Sequence, residues 1–329
     1  MFLQSFLKMF PPPKFLAMPH IGLDVSDDAV HFLEFGSRFG HNYIKQFKSA
    51  DLPDGLIIGS DITDQDKLVA ILAGITDNKF TGDKKPVKSK KPIYAKVSIP
   101  EEKAYLFQTD VPSSSLNSIY QNIESKLEEN VPLSAKDALF HFEIIDPIFS
   151  DASLAPRGSL RASVSVVPRT YIDHLSTILK SANIVPISFE TVPTALARAI
   201  IPKNSRETIM IVHLMKHKMG IYIVSFGVVC FTSTLIKNSS PDALIHEINH
   251  VSEYWNTKIG TKSIDRVILV GHEVIAYEKE FGVSPQGLSI PISIPNVWSN
   301  ACDINGYVSP IERVESLNYA VASGLAMSL

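Results

Sequence analysis

Cysteine is scarce in this sequence. Two thiols among 329 residues, Cys230 and Cys302, cannot supply a disulfide framework, and their rarity suits a reducing compartment. No apolar run approaches the ~20 residues that a membrane-spanning helix needs, so any membrane association is expected to be indirect. Surplus charge is missing too. Thirty-one Lys and Arg stand against 34 Asp and Glu, a net of −3, which leaves no basic excess pointing to nucleic acid. Catalytic signatures are equally thin: there is no G-x-S-x-G elbow, no Walker loop and no C-x-x-C pair. What remains is 45% hydrophobic and 20% charged, a globular composition in a chain long enough for two core-bearing lobes.

The stretch 19–35, PHIGLDVSDDAVHFLEF, organises the rest. An apolar run over 21–25, the polar turn Ser26-Asp27-Asp28 and a second apolar run over 29–35 predict a strand, a tight turn and an antiparallel strand. Asp24 is a carboxylate inside the apolar strand, at the lip of the turn, where it is costly without a partner. Two roles fit. It caps the turn, or the turn is a phosphate hairpin whose amides face a nucleotide while the Asp holds a hydrated metal ion.

Ahead of this stretch, MFLQSFLKMFPPPKF has a helical apolar face stopped by Pro11-Pro12-Pro13. It lacks a basic n-region and a cleavage site, and reads either as a tail or as a short segment docking on a membrane surface or partner. After it, residues 43–58 predict another strand with a turn at Pro53-Asp54-Gly55. Residues 64–74 predict a helix capped by Asp61 or Thr63. The polar, basic, proline-punctuated stretch 77–92 reads as a solvated loop or as a contact for an acidic surface. From 93 onward YAKVSIP and KAYLFQTDVP alternate like paired strands. A helix over 113–130, capped near 113–115, has apolar residues at 116, 119, 123 and 127. DALFHFEII and LRASVSVVP are two further strands, joined by a loop over about 147–159. A helix over 169–181 turns Tyr171, Ile172, Leu175, Ile178 and Leu179 inward, and IVPISFETVP closes a compact α+β unit over 97–190, inserted in a larger fold. Beyond it lie a small-residue helix, TALARAI, and a meander of TIMIVHL, MGIYIVSF and VVCFTSTL. A helix over 241–258, a buried strand DRVILV ending at Gly271, and an amphipathic helix over 314–327 complete the chain. The expected division is a tail (1–18), a first lobe (19–96), the insert (97–190) and a second lobe (191–329).

Several histidines invite a metal reading. His213 and His217 are four residues apart, a metal-ligand spacing on a helix, but this stretch reads as strand and turn. His272-Glu273 lacks a second histidine. His246-Glu247-Ile248-Asn249-His250 is a literal H-E-x-x-H on a helical stretch. A zinc hydrolase needs a third ligand and a cleft as well, so this stays an outlying alternative. No catalytic residue and no metal ligand are assigned from sequence.

The order of these pieces resembles the actin-like ATPase fold (ribonuclease H-like), an α/β architecture in which two related lobes clasp a nucleotide. The inserted α+β subdomain falls where the cell-division protein FtsA and its relatives carry theirs. From about residue 20 to 327 the chain is similar to the PilM family of type IV pilus assembly. The resemblance is carried by IGLDVS, IPEEKAYLFQTDVP, EENVPLSAKDALFHFEII, VVPRTYIDHLSTILKSANIVPISFETVPTALARA, PNVWSNA and SLNYAVASGLAM. It implies a cytoplasmic protein at the inner face of the cytoplasmic membrane. Its partner would be a PilN-like inner-membrane protein, whose cytoplasmic peptide lies in a groove of the first lobe, alongside platform and motor components of the pilus machinery. It also implies an ATP and Mg²⁺ site drawing on Asp24, Val25 and Ser26 of the first turn, Lys216 of the second, Gly271 of the adenosine turn and Gly324 of the closing helix. The departures bear on that site. No glycine follows Asp24, and Asp27 and Asp28 add charge that repels phosphate. His213 stands where the family has Asp, exchanging an anion for a possible cation, and Met215 stands for Gly. His272 and Glu273 follow Gly271. Lys216, His217 and Lys218 are the available compensating charges. The expectation is a scaffold with a degenerate nucleotide site, the alternative being a working ATP-binding protein of the same fold.

Overall fold

A computed structural model describes residues 19–38, 41–76, 91–113, 115–145, 159–236, 240–257, 262–275, 277, 287–303 and 306–327. The expected tail over 1–18, nearly all of the basic stretch 77–92 and the loop over 147–158 lie outside them.

Strands β1 (Ile21–Val25) and β2 (Ala29–Arg38) form the expected hairpin, and β3 (His41–Asp51) continues it antiparallel. A short pair, β4 (Ile57–Ile58) and β5 (Asp61–Ile62), leads to helix α1 (Gln65–Thr76). Its cap is Asp64, whose Oδ1 accepts from the Lys67 amide at 3.0 Å. The expected caps are engaged elsewhere: Asp61 pairs with Lys103 at 2.7 Å and the Thr63 hydroxyl donates to the Gly55 carbonyl at 2.7 Å. Strand β6 (Ile93–Ile99) then runs parallel to β1 on its far side. It is not paired with the segment after it. Residues 95–99 are buried without alternation, as a central parallel strand requires.

Strand β7 (Tyr105–Pro112), helix α2 (Leu116–Asn130) and strands β8 (Ala138–Ile145) and β9 (Ser159–Pro168) make a separate unit. Its sheet is antiparallel in the order β7-β9-β8, and Ile119, Ile123 and Leu127 of α2 bury against it. Ser115 caps α2 through the Ser118 amide. The next two elements leave that unit. Helix α3 (Arg169–Ser181) buries Leu175, Ile178 and Leu179 with Leu68 and Leu72 of α1, and β10 (Ile184–Thr191) pairs parallel to β6. The self-contained insert is therefore 105–168 rather than 97–190. Periodicity reveals which face of α3 is apolar, not which sheet will cover it. As the edge strand, β10 also tolerates Pro186, next to a break in register.

Helix α4 (Val192–Ile200) crosses to the second lobe. There β11 (Thr208–Leu214), β12 (Lys218–Ser225) and β13 (Val228–Ile236) form the meander. Helix α5 (Pro241–Asn256) and strands β14 (Arg266–Val270) and β15 (Ile292–Ser293) follow. The sheet order β13-β12-β11-β14-β15 repeats β3-β2-β1-β6-β10, three meandering strands and then two parallel ones. The lobes are duplicates in topology. The insert covers the free edge of the second sheet: Ser163 Oγ donates to the Val229 carbonyl at 2.6 Å and Gln108 Nε2 to the Cys230 carbonyl at 3.0 Å.

The expected single helix over 314–327 is broken into α6 (Arg313–Ser316), a 3₁₀ turn (Leu317–Tyr319) and α7 (Ala320–Ala326). Helix α7 is not amphipathic; every residue is buried, because it is wedged between β1 and α4. A Cβ on Gly22 would overlap the Ala322 carbonyl, and one on Gly324 would overlap the Ala195 carbonyl. Lys96 Nζ donates to the Met327 carbonyl at 3.2 Å and Arg198 Nη1 to the Gly324 carbonyl at 2.9 Å, closing the wedge with charged donors.

Candidate functional site: the cleft between the lobes

The turns of the two duplicated hairpins face each other. A cavity of about 380 Å³ lies between them, lined among others by Asp24, Ser26, His31, His213, Lys216 and Gly271. Four expected site residues thus share one cavity: Asp24, Ser26, Lys216 and Gly271. Two do not line it. Val25 directs its amide to Ser98 Oγ at 3.0 Å, and Gly324 packs inside α7 against α4, where its lack of a side chain serves backbone approach.

A phosphate hairpin needs free amides, and six in these two turns are already engaged. The Val25 amide goes to Ser98, and the Ser26 amide goes to the Ala29 carbonyl at 3.0 Å. The Asp28 and Ala29 amides both donate to Ser26 Oγ, at 3.3 and 3.0 Å. On the facing hairpin, Met215 N–H donates to the Lys218 carbonyl at 3.0 Å and Lys216 N–H to Asp28 Oδ2 at 3.3 Å. Gly271, at φ +110°, is required because a Cβ would strike the Leu214 carbonyl, so it serves packing against β11.

Charge crosses the cleft directly. Lys218 Nζ lies 2.7 Å from Glu102 Oε2 and 3.2 Å from Asp27 Oδ2, and Lys216 Nζ lies 3.1 Å from Asp54 Oδ1. His217 Nε2 is 3.8 Å from Asp28 Oδ1. Burial alone would lower the Lys218 pKa; the hydrogen bond to Glu102 and the nearby carboxylates outweigh it and raise it. The lysines expected to make up for missing phosphate ligands are thus committed to carboxylates of the first lobe.

Burial shifts the deeper ionisable groups toward their neutral forms. Burial pushes Asp24 up to about 6, with Glu101 adding to the rise and the Ser98 hydroxyl and Lys218 partly offsetting it. Burial holds His31 down to about 4 and His213 down to about 3. His213 is therefore not the cation its sequence position suggested. Its Nδ1 is buried without a hydrogen-bond partner. His31 Nδ1 sits 4.0 Å from Asp24 Oδ2, a contact between an uncharged ring and a carboxyl half protonated near pH 6.

Asp27, Asp28 and Glu102 put negative charge at the approach to the cavity, and Lys216 and Lys218 pair with carboxylates there. Sequence motifs do not single out Glu101 and Glu102. Glu101 is buried, its Oε1 accepts from Thr234 Oγ1 at 3.1 Å, and burial raises its pKa. A signal is present in the chain: two carboxylates directly after the apolar strand VSIP, the same anomaly that marks Asp24. The H-E-x-x-H histidines lie on the outer face of α5, with His246 and His250 side chains 77% and 70% exposed and Glu247 within 4.0 Å of each. Among the described residues, no group of three His, Cys, Asp or Glu is disposed to hold a metal ion.

A second cavity, of about 310 Å³, opens between the insert and the first lobe. Its floor is the face of the β8-β9 pair opposite α2, with Leu139 beside Val167, His141 beside Ser165 and Glu143 beside Ser163. Ile172 of α3, Phe189 and Glu190 of β10, and Ile99 wall it in.

No family model matches the sequence, and no curated protein does. Among solved structures, the fold superposes on that of the PilM-PilN type IV pilus biogenesis complex over 94% of this chain and 98% of that one, at 13% identity and a TM-score of 0.73. The chain has the PilM-type actin-like fold. Weaker overlap links it to the cytoplasmic domain of EpsL, an inner membrane component of the type II secretion system of Vibrio cholerae (10% identity, 92% and 94% coverage, TM-score 0.47). A Bacteroides thetaiotaomicron protein of actin-like ATPase fold and unknown function overlaps at 12% identity, 87% and 93% coverage and a TM-score of 0.45. No helix among the described residues is long and apolar enough to cross a membrane.

Proposed function

We propose that this protein is a PilM-like scaffold of type IV pilus assembly, acting in the cytoplasm at the inner face of the cytoplasmic membrane. In this reading it binds the cytoplasmic peptide of a PilN-like inner-membrane protein, joins it to platform and motor components, and has lost nucleotide chemistry. The observation that carries it is the superposition of both lobes and the insert on the PilM-PilN structure, over nearly the full length of each chain. The cavity between insert and first lobe offers a groove for an extended peptide, with apolar side chains such as Leu139, Ile172 and Phe189 beside polar ones such as His141 and Glu143. Titration of the full chain with the cytoplasmic segment of a PilN-like protein from the same organism should give saturable binding. No saturable binding by folded protein would remove the scaffold reading.

One observation favours the alternative, an ATP-binding protein: Asp24 still lines a cavity of about 380 Å³ between the lobes. Against it, a single hydrogen bond to a charged group is typically worth ~1.5–3 kcal/mol, or about one to two decades of affinity, and the engaged amides and carboxylate-paired lysines forgo several. Calorimetry with Mg-ATP is therefore expected to show no micromolar binding. A micromolar dissociation constant abolished by Asp24→Ala would restore the ATPase reading.

A further inference from the structure

The outermost strand of a sheet leaves a row of amides and carbonyls without partners, and folded proteins cover such edges. In the second lobe the insert covers β13, through Ser163 and Gln108. The equivalent edge of the first lobe is β3, and there the cover is partial. In its first half the Ile44 amide points away from β2 and donates to the Tyr307 hydroxyl at 2.9 Å, while Asn42 Nδ2 donates to the Ala301 carbonyl at 3.0 Å. Just past its far end the Leu52 amide points inward, to the Asp28 carbonyl at 2.8 Å. By the alternation of an antiparallel ladder, Ala50 and Lys48 also bond toward β2, and Phe47, Ser49 and Asp51 turn their backbone groups outward. Among the described residues, no hydrogen bond takes up those outward groups.

A cavity of about 860 Å³ opens beside this half of the strand, between β3 and α1. Alternation sorts the side chains. Phe47 packs on Tyr319, and Ser49 and Asp51 line the cavity between the lobes, so these three face away from α1. Lys48 and Ala50 face α1, which presents Lys67, Ala70, Ile71 and Gly74. The charged side chains on this face are thus two lysines, over an apolar floor in which Ala70 and Gly74 leave room for the side chains of a neighbouring strand. The chain's own remaining stretches do not complement it. Residues 1–18 carry Lys8 and Lys14 and no carboxylate, and 77–92 carries six lysines against Asp77 and Asp83.

We propose that the second half of β3 and the adjoining face of α1 dock an extended acidic segment of another protein. The segment adds to the sheet as a further strand, with carboxylates toward Lys48 and Lys67 and apolar side chains over Ala70 and Gly74. Backbone pairing supplies the alignment, and the two lysines select the charge. This surface is separate from the cleft and from the cavity beside the insert, and the inference does not depend on the pilus reading.

The test uses the full chain and three capped probes. One is a heptapeptide, Thr-Glu-Thr-Val-Thr-Glu-Thr. The second has glutamine for glutamate, and the third is the first N-methylated at every amide, which removes its strand-pairing donors. Calorimetry should show saturable binding of the glutamate probe, about tenfold tighter than the glutamine probe, the effect of one charged contact. The N-methylated probe should not bind. Hydrogen exchange should find the Phe47, Ser49 and Asp51 amides slowed by the glutamate probe. Lys67→Glu changes an exposed side chain and should leave the melting temperature near that of the wild type while removing the glutamate preference. No binding, equal affinity for glutamate and glutamine, binding of the N-methylated probe, slowing of other amides instead, or a preference that survives Lys67→Glu would each overturn the proposal. So would slowing of the same three amides by phosphatidylglycerol vesicles but not by the peptide, which would make this face a membrane contact.

Discussion

Three buried ionisable side chains at the cleft pull stability in opposite directions with pH. Asp24 has its pKa raised, so it favours the folded state most below its ordinary value of 3.8, and that contribution is lost as the pH rises to about 6. At neutral pH its ionised form then costs about 3 kcal/mol relative to an unshifted carboxyl. Asp24→Asn is expected to raise the melting temperature at pH 7 by several degrees; a lower melting temperature would mean that the charge itself is needed. His31 and His213 work the other way. Their lowered pKa values mean that the unfolded chain takes up protons first, from about pH 6.5 down to about 4 and 3. Stability should fall through that window, each histidine contributing up to about 1.4 kcal/mol per pH unit, with Asp24 offsetting one of them below pH 6. Urea unfolding at pH 7, 6 and 5 should therefore show a loss that His213→Phe reduces. An unchanged slope would argue that His213 is solvated in the folded protein.

At the level of elements, the place of α7 depends on two glycines, Gly324 of its own and Gly22 of β1. Gly22 lets β1 approach the helix from one side and Gly324 lets α4 approach from the other, in each case backbone against backbone. Neither wall is a flexible side chain, so Gly324→Ala should exceed the ~1–3 kcal/mol of ordinary overpacking; thermal unfolding or loss of soluble protein would report it, and a variant as stable as wild type would contradict the packing. Parts of this architecture are legible in the sequence and others are hidden for physical reasons. The hairpins, the meander and α3 can be read because alternation and helical spacing are local. The cleft pairs cannot, because Asp27 and Lys218 sit on hairpins of different lobes and only the duplicated topology brings them together. The insert boundary is hidden because α3 and β10 look the same whichever sheet they join. Nor does the sequence show that Gly324 lies against the backbone of α4.

For the whole molecule, the duplicated lobes are joined where their hairpin turns meet, through carboxylates of one and lysines of the other. Hydrogen exchange should find the amides of Val25, Ser26, Ala29, Met215 and Lys216 slow in nucleotide-free protein and unchanged by Mg-ATP, and Lys218→Met should speed those on both sides. Fast exchange in the wild type would mean that the turns are open. The wedge of α7 has a further bearing, on time. Its residues lie about 300 positions after the strand they cover. At a synthesis rate of about 5–20 residues per second, β1 waits on the order of 15 to 60 s for its cover. The first lobe, although made first, is completed late, and until then the hydrophobic face of β1 is work for chaperones.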